Sequence, residues 1–115
     1  MSKSFSHGEL AHFEIRGPDN GALRGFYEAV LGWTVDEKGP GFSLVQTEGA
    51  GPDGAFVEAP EAGINVSFTV GDLDASVAKA ESLGGEVVMP VTDNGWVKKA
   101  QIRDVAGNTI TLIQS

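Results

Sequence analysis

Residues 11–16 alternate. Phe13 and Ile15 point one way; His12, Glu14 and Arg16 point the other. A period of two predicts a half-buried strand, and Gly17-Pro18-Asp19-Asn20 breaks it. The period then changes. Leu23, Phe26, Tyr27, Val30 and Leu31 recur at spacings of three and four, the apolar stripe of a helix. Asp19 or Asn20 can cap it by accepting from N–H groups that lack a partner inside the helix. Gly32 suits its C-terminal stop. Two strands are predicted over 33–36 and 42–47, joined by Lys38-Gly39-Pro40-Gly41. A Gly/Pro/Asp loop over 48–54 leads to a short strand at 55–58.

The pattern restarts at residue 64. Val66, Phe68 and Val70 alternate with Asn65, Ser67 and Thr69. Asp72 or Asp74 caps a second helix whose stripe is Leu73, Val77, Ala80 and Leu83, and Gly84-Gly85 ends it. Strands are predicted at 86–91, 96–103 and 109–113, with a tight turn at Asp93-Asn94-Gly95 and a loop at 104–108. Strand, helix and three strands therefore occur twice. Asn65 follows His12 by 53 residues, and Asp72 follows Asp19 by the same 53. A period near 50 marks two similar supersecondary units joined in one chain. Each has one helix for one sheet face, so its other face needs a further layer. The expectation is an α+β domain at 9–115 behind a flexible tail at 1–8. Module 1 spans about 9–60 and module 2 about 63–115, and the sheet curls openly around a cleft.

Composition narrows the classes. A chain of 115 residues suits one domain, and 41% hydrophobic with 21% charged residues fits a folded protein. Cys is absent, which excludes disulfides and thiol catalysis. No apolar run reaches the ~18 residues of a membrane span, and the first eight residues lack the apolar core of a secretion signal. A cytoplasmic location is expected. Sixteen acidic residues against eight basic ones give a net charge of −8, which disfavours nucleic acid as a partner. The acidity serves solubility or attracts a cationic ligand.

His12-Phe13-Glu14-Ile15, Asp19 and Phe26-Tyr27-Glu28-Ala29-Val30-Leu31-Gly32-Trp33 resemble the first half of a vicinal oxygen chelate domain. Val70-Gly71-Asp72-Leu73-Asp74, Ala80-Glu81-Ser82-Leu83-Gly84-Gly85 and Asp104-Val105-Ala106-Gly107-Asn108-Thr109-Ile110 resemble its second half. That superfamily holds glyoxalase I, bleomycin-resistance proteins and extradiol dioxygenases. The resemblance implies paired βαβββ modules, a homodimer and, in metal-dependent members, a His from each first strand and a Glu from each last strand. His12 stands at the first His position. Asn65 replaces the second His and Thr111 the second Glu, and the 53-residue offset nominates Glu58 as the first-module carboxylate. One imidazole and one carboxylate are a poor ligand set for zinc or iron. No cofactor is therefore the expectation, with a weakly held divalent metal on His12 and Glu58 as the alternative.

The remaining candidates follow from chemistry. His12 sits on the polar face of its strand beside Glu14, an arrangement for acid–base work if the protein is an enzyme. Asn65, Ser67 and Thr111, with His12, offer hydrogen bonds to a small polar ligand. Trp33, Phe42, Phe56 and Trp96 offer aromatic surface, and Trp96 is placed for a cavity mouth. Lys99, Gln101 and Arg103 share a face; lining a cleft they bind carboxylate or phosphate, and otherwise they form a solvated rim. His7, in the tail, carries no assigned role. The leading reading is a metal-independent small-molecule-binding protein. The alternative is a lyase, isomerase or dioxygenase-like enzyme of the same superfamily.

Overall fold

The computed structural model describes residues 3–114. They form a mixed α+β chain in the order β1 (Leu10–Gly17), α1 (Asn20–Leu31), β2 (Thr34–Gly39), β3 (Phe42–Gln46), β4 (Asp53–Glu58), β5 (Gly63–Val70), α2 (Leu73–Ser82), β6 (Glu86–Asp93), β7 (Lys98–Arg103) and β8 (Thr109–Gln114). Two βαβββ modules are evident. The chain divides into two compact units, His12–Asn65 and the remainder.

In the first unit the strand order is β2-β3-β4-β1, with β1 and β4 parallel and the hairpins antiparallel. Asp19 caps α1: its Oδ1 accepts from the Ala22 amide at 3.0 Å. Gly32 ends the helix in the left-handed region at φ 69°, where a Cβ would be strained. Asn20, the other candidate cap, is buried instead. Its Nδ2 donates to the Phe56 carbonyl at 3.1 Å and its Oδ1 accepts from Ser43 Oγ at 2.7 Å. The start of α1 is thus tied to β3 and β4. The core beneath α1 is Ile15, Val45 and Phe56, joined by Phe13, Leu23, Tyr27, Trp33 and Val35. Tyr27 and Trp33 stack, their centroids 5.4 Å apart and their planes 10° off parallel. Phe13 lies 5.1 Å from Trp33. Gly54 makes room for it, because a Cβ there would collide with the Phe13 ring.

The expected stripe of α1 is only partly buried. Phe26, Val30 and Leu31 are more than half exposed. Leu23 and Tyr27, one turn apart, are the side chains that reach the sheet. Leu83, expected on the stripe of α2, is likewise exposed, because it lies at the helix's C-terminal cap rather than within it.

In the second unit the order is β5-β8-β7-β6, again with one parallel pair, β5 with β8. Asp72 caps α2 through the Ala75 amide at 3.1 Å. Val70, Leu73, Val77, Ala100, Ile102 and Leu112 form an aliphatic core. The stretch before β1 belongs to this unit. The Gly8 amide donates to the Thr69 carbonyl, the Thr69 amide to the Glu9 carbonyl, and the Gly71 amide to His7 Nδ1 at 3.0 Å. Residues 7 and 8, read from sequence as part of a flexible tail, are hydrogen-bonded to the end of β5.

Candidate functional site

Strand alternation gives each module's sheet a helix-covered face and a face turned from its helix. In the first module Phe13 and Ile15 face α1, so His12, Glu14 and Arg16 lie on the helix-free face. The parallel register sets Asp53 beside His12, Ala55 beside Glu14 and Val57 beside Arg16. Glu14 Oε1 lies 2.8 Å from Arg16 Nε, an ion pair between half-buried groups. That Nε is shielded from solvent yet makes no aligned hydrogen bond. The carboxylate beside His12 along the strand is therefore already engaged by a cation.

Glu58 lies elsewhere. It pairs with Gly17, five residues along β1 from His12, roughly 16 Å at strand rise. Alternation also puts it on the helix side, with Gly54 and Phe56. Its amide donates to the Gly41 carbonyl at 2.8 Å, and it helps line a shallow depression of about 280 Å³ with Pro18, Ala59 and Pro60. His12 and Glu58 are not brought together, and one ion cannot take both.

The register also shows why the offset misled. β5 and β8 align Ser67 with Thr111, while β1 and β4 align Glu14 with Ala55. Ser67 follows Glu14 by 53 residues, but Thr111 follows Ala55 by 56. The first-module counterpart of Thr111 is Ala55. By register the four ligand positions implied by the superfamily hold His12, Ala55, Asn65 and Thr111. A single imidazole among an alkyl group, an amide and a hydroxyl does not fit a divalent metal. Among the described residues, no three His, Asp or Glu side chains are grouped to hold one.

The second module's helix-free face is of another kind. Phe68, Val70, Ala100, Ile102, Ile110 and Leu112 pack toward α2. Ser67, Thr69, Thr109, Thr111, Lys99, Gln101 and Arg103 therefore share the opposite face. Ser67, Thr69 and Thr111 are buried, as is Asn65. Lys99 and Gln101 are half-buried. Trp96 is 88% exposed, on the turn between β6 and β7. Asn94 Oδ1 accepts from the Trp96 amide at 3.2 Å and the Val97 amide at 2.9 Å, and Asp93 Oδ1 from the Gly95 amide at 2.9 Å. The turn is held by side chains that bond their own backbone. Trp33 and Phe56 belong to the first module's core, not to a ligand surface.

The loop from β7 to β8 is built by Asp104, which sequence reading left without a role. Its Oδ1 accepts from the Ala106 and Asn108 amides, both at 2.9 Å, and its Oδ2 from Asn108 Nδ2 at 3.0 Å. The Asn108 side chain, then the Asn108 and Ala106 amides, hold this exposed carboxyl below the usual Asp range.

A family model described as a glyoxalase-like domain matches residues 12–113. No curated protein matches significantly. Solved structures share the fold at low identity. A glyoxalase/bleomycin resistance protein/dioxygenase superfamily member from Vibrio splendidus 12B01 aligns with TM-score 0.75 and 16% identity, over 94% of this chain and 99% of that one. Methylmalonyl-CoA epimerase from Mycobacterium tuberculosis aligns with TM-score 0.72 and 20% identity, over 96% and 91%. A variant of the Streptomyces coelicolor methylmalonyl-CoA epimerase, in complex with 2-nitronate-propionyl-CoA, aligns with TM-score 0.68 and 20% identity, over 95% and 98%.

Proposed function

Since the chain belongs to the glyoxalase-like domain family of the vicinal oxygen chelate superfamily, we propose that it binds a small molecule on a helix-free sheet face without chelating a metal. The observation that carries this reading is the register. It leaves His12 as the one strong donor among the four ligand positions and sets Glu58 about 16 Å away. The surface that remains, rich in Ser, Thr, Asn and Gln, supports orientation by hydrogen bonds rather than Lewis-acid activation. The same reading includes a homodimer and a cytoplasmic location. Among the described residues no helix is long and apolar enough to cross a membrane.

The test is metal content after purification without chelator, then melting with added Mn²⁺, Ni²⁺ or Zn²⁺. Less than stoichiometric metal and no stabilisation are expected; a metal-dependent rise in Tm that His12→Ala removes would overturn the reading.

A second reading is a metal-free acid–base enzyme. Solved relatives of this fold include methylmalonyl-CoA epimerases, and His12 shares its face with an ion-paired Glu14. Incubation with methylmalonyl-CoA in D₂O separates the two readings. Solvent deuterium entering the α-carbon, lost by orders of magnitude in His12→Ala, marks an enzyme; no exchange is expected of a binding protein.

A further inference from the structure

Most cations on the sheets and helices of this chain face a carboxylate. Arg16 pairs with Glu14, Arg24 with Glu37, Lys38 with Asp36, Lys98 with Asp74 and, at 3.7 Å, Arg103 with Glu86. Lys99 is different. It is half-buried, and among the described residues no carboxylate is paired with it. In a chain with twice as many acidic as basic residues, a lysine whose stem is partly covered by the sheet and which is left without a counter-charge is conspicuous.

Its surroundings explain what would complete it. The register lays rows across β7, β8 and β5: Gln101, Thr111 and Ser67 in one, Lys99, Ile113 and Thr69 in the next. Strands are about 4.8 Å apart and same-face neighbours about 7 Å apart along a strand. An ammonium, a carboxamide and three hydroxyls thus fall on one patch around Ile113, with Thr111, Ser67 and Thr69 buried in its floor. Every one of these groups can donate a hydrogen bond, and none of them is an acid. The hydrogen-bonded turn carrying Trp96 precedes Lys99 on the same hairpin.

We propose that the small molecule bound by the second module is an anion, whose carboxylate or phosphate group is held by Lys99 with Gln101 beside it. This rests on the proposed function and names its ligand class. An oxyanion would accept charge-assisted bonds from Lys99 Nζ and a further bond from the Gln101 amide.

The test uses three probes on the full chain: benzoate, inorganic phosphate and neutral benzamide. Binding is read by melting temperature and by Trp96 fluorescence in a Trp33→Phe background. Either anion should bind, with affinity at least ~10-fold lower in Lys99→Met and largely restored in Lys99→Arg. The two anions separate a carboxylate site from a phosphate site. Benzamide should bind at least ~10-fold more weakly than benzoate. Anion binding that Lys99→Met leaves unchanged overturns the inference. So does benzamide binding as tight as benzoate, an outcome that keeps the small-molecule reading intact. No binding of any probe to the wild-type chain overturns both.

Discussion

In the first module the helix rests on aromatic rings; in the second it rests on aliphatic side chains. Phe13, Tyr27, Trp33 and Phe56 do in one what Val70, Leu73, Val77, Ala100, Ile102 and Leu112 do in the other. The helix-free faces differ as well. The first carries His12 and a charge pair that neutralises itself, Glu14 with Arg16. The second carries hydroxyls, an amide and Lys99. Repeating one topology does not repeat its chemistry. Hydrogen bonding and alternation fix which positions face the helix, and side chains remain free to change wherever volume and polarity are respected. The contrast is sharpest at one matched pair. Asn20 and Leu73 both begin a helix and both are buried. Asn20 bonds to β3 and β4 through its side chain. Leu73 fills the core, and its amide donates to Gln114 Oε1 at 2.9 Å.

The largest expected effect is on the two cores. Phe56→Ala should cost about 3–5 kcal/mol and Leu73→Ala about 2–5 kcal/mol in urea unfolding. Near-UV circular dichroism, compared where both variants are still folded, should collapse only for Phe56→Ala. An equal loss in Leu73→Ala would break the assignment of the ring cluster to the first module.

Next in size is the swap at the helix start. Asn20→Leu copies the second module and should destabilise by about 1–3 kcal/mol, because it strands the buried Phe56 carbonyl and Ser43 hydroxyl. Adding Ser43→Ala removes one stranded group and should recover part of the loss. If Asn20→Leu is neutral, the two helix starts are interchangeable.

The smallest effect concerns the loops before the last strand of each module. In the first, Asp53 Oδ1 accepts from the Thr47 amide at 2.9 Å. In the second, the depressed pKa of Asp104 makes the loop sensitive to acid. A lowered folded-state value stabilises the native loop above the unfolded Asp pKa of about 3.9 and loses that contribution as pH falls through the folded value. The Asn108 amide resonance should therefore move only below about pH 4. Its movement between pH 5 and 7 would contradict the hydrogen-bonded carboxylate.

Much of the fold was legible because period two and period three-and-four alternate cleanly along this chain. Asp19, Gly32 and Asp72 were readable as caps because their backbone roles are local. Phe26 and Val30 misled because periodicity records apolarity, not contact, and Leu23 with Tyr27 already meet the sheet below α1. For the site, His12 and the hydroxyl stripe were placed on one face per module by alternation alone. Glu58 was not, since a fixed offset holds only while the repeats keep step. The unpaired state of Lys99 was beyond the sequence, which does not say which carboxylates reach which cations.

The repeats fall out of step at an identifiable place. From the start of β2 to the end of β3 the chain runs from Thr34 to Gln46; its counterpart runs from Glu86 to Arg103, five residues longer. α2 is two residues shorter than α1. The growth is therefore in the hairpin that bears Trp96. Such additions are tolerated at hairpin ends, where a few more residues cost little closure entropy. If the two halves descend from one ancestral segment, this hairpin is where their lengths have drifted furthest apart. Trp96 then belongs to the lineage of one half alone, and homologous chains that lack the extension would lack its exposed ring.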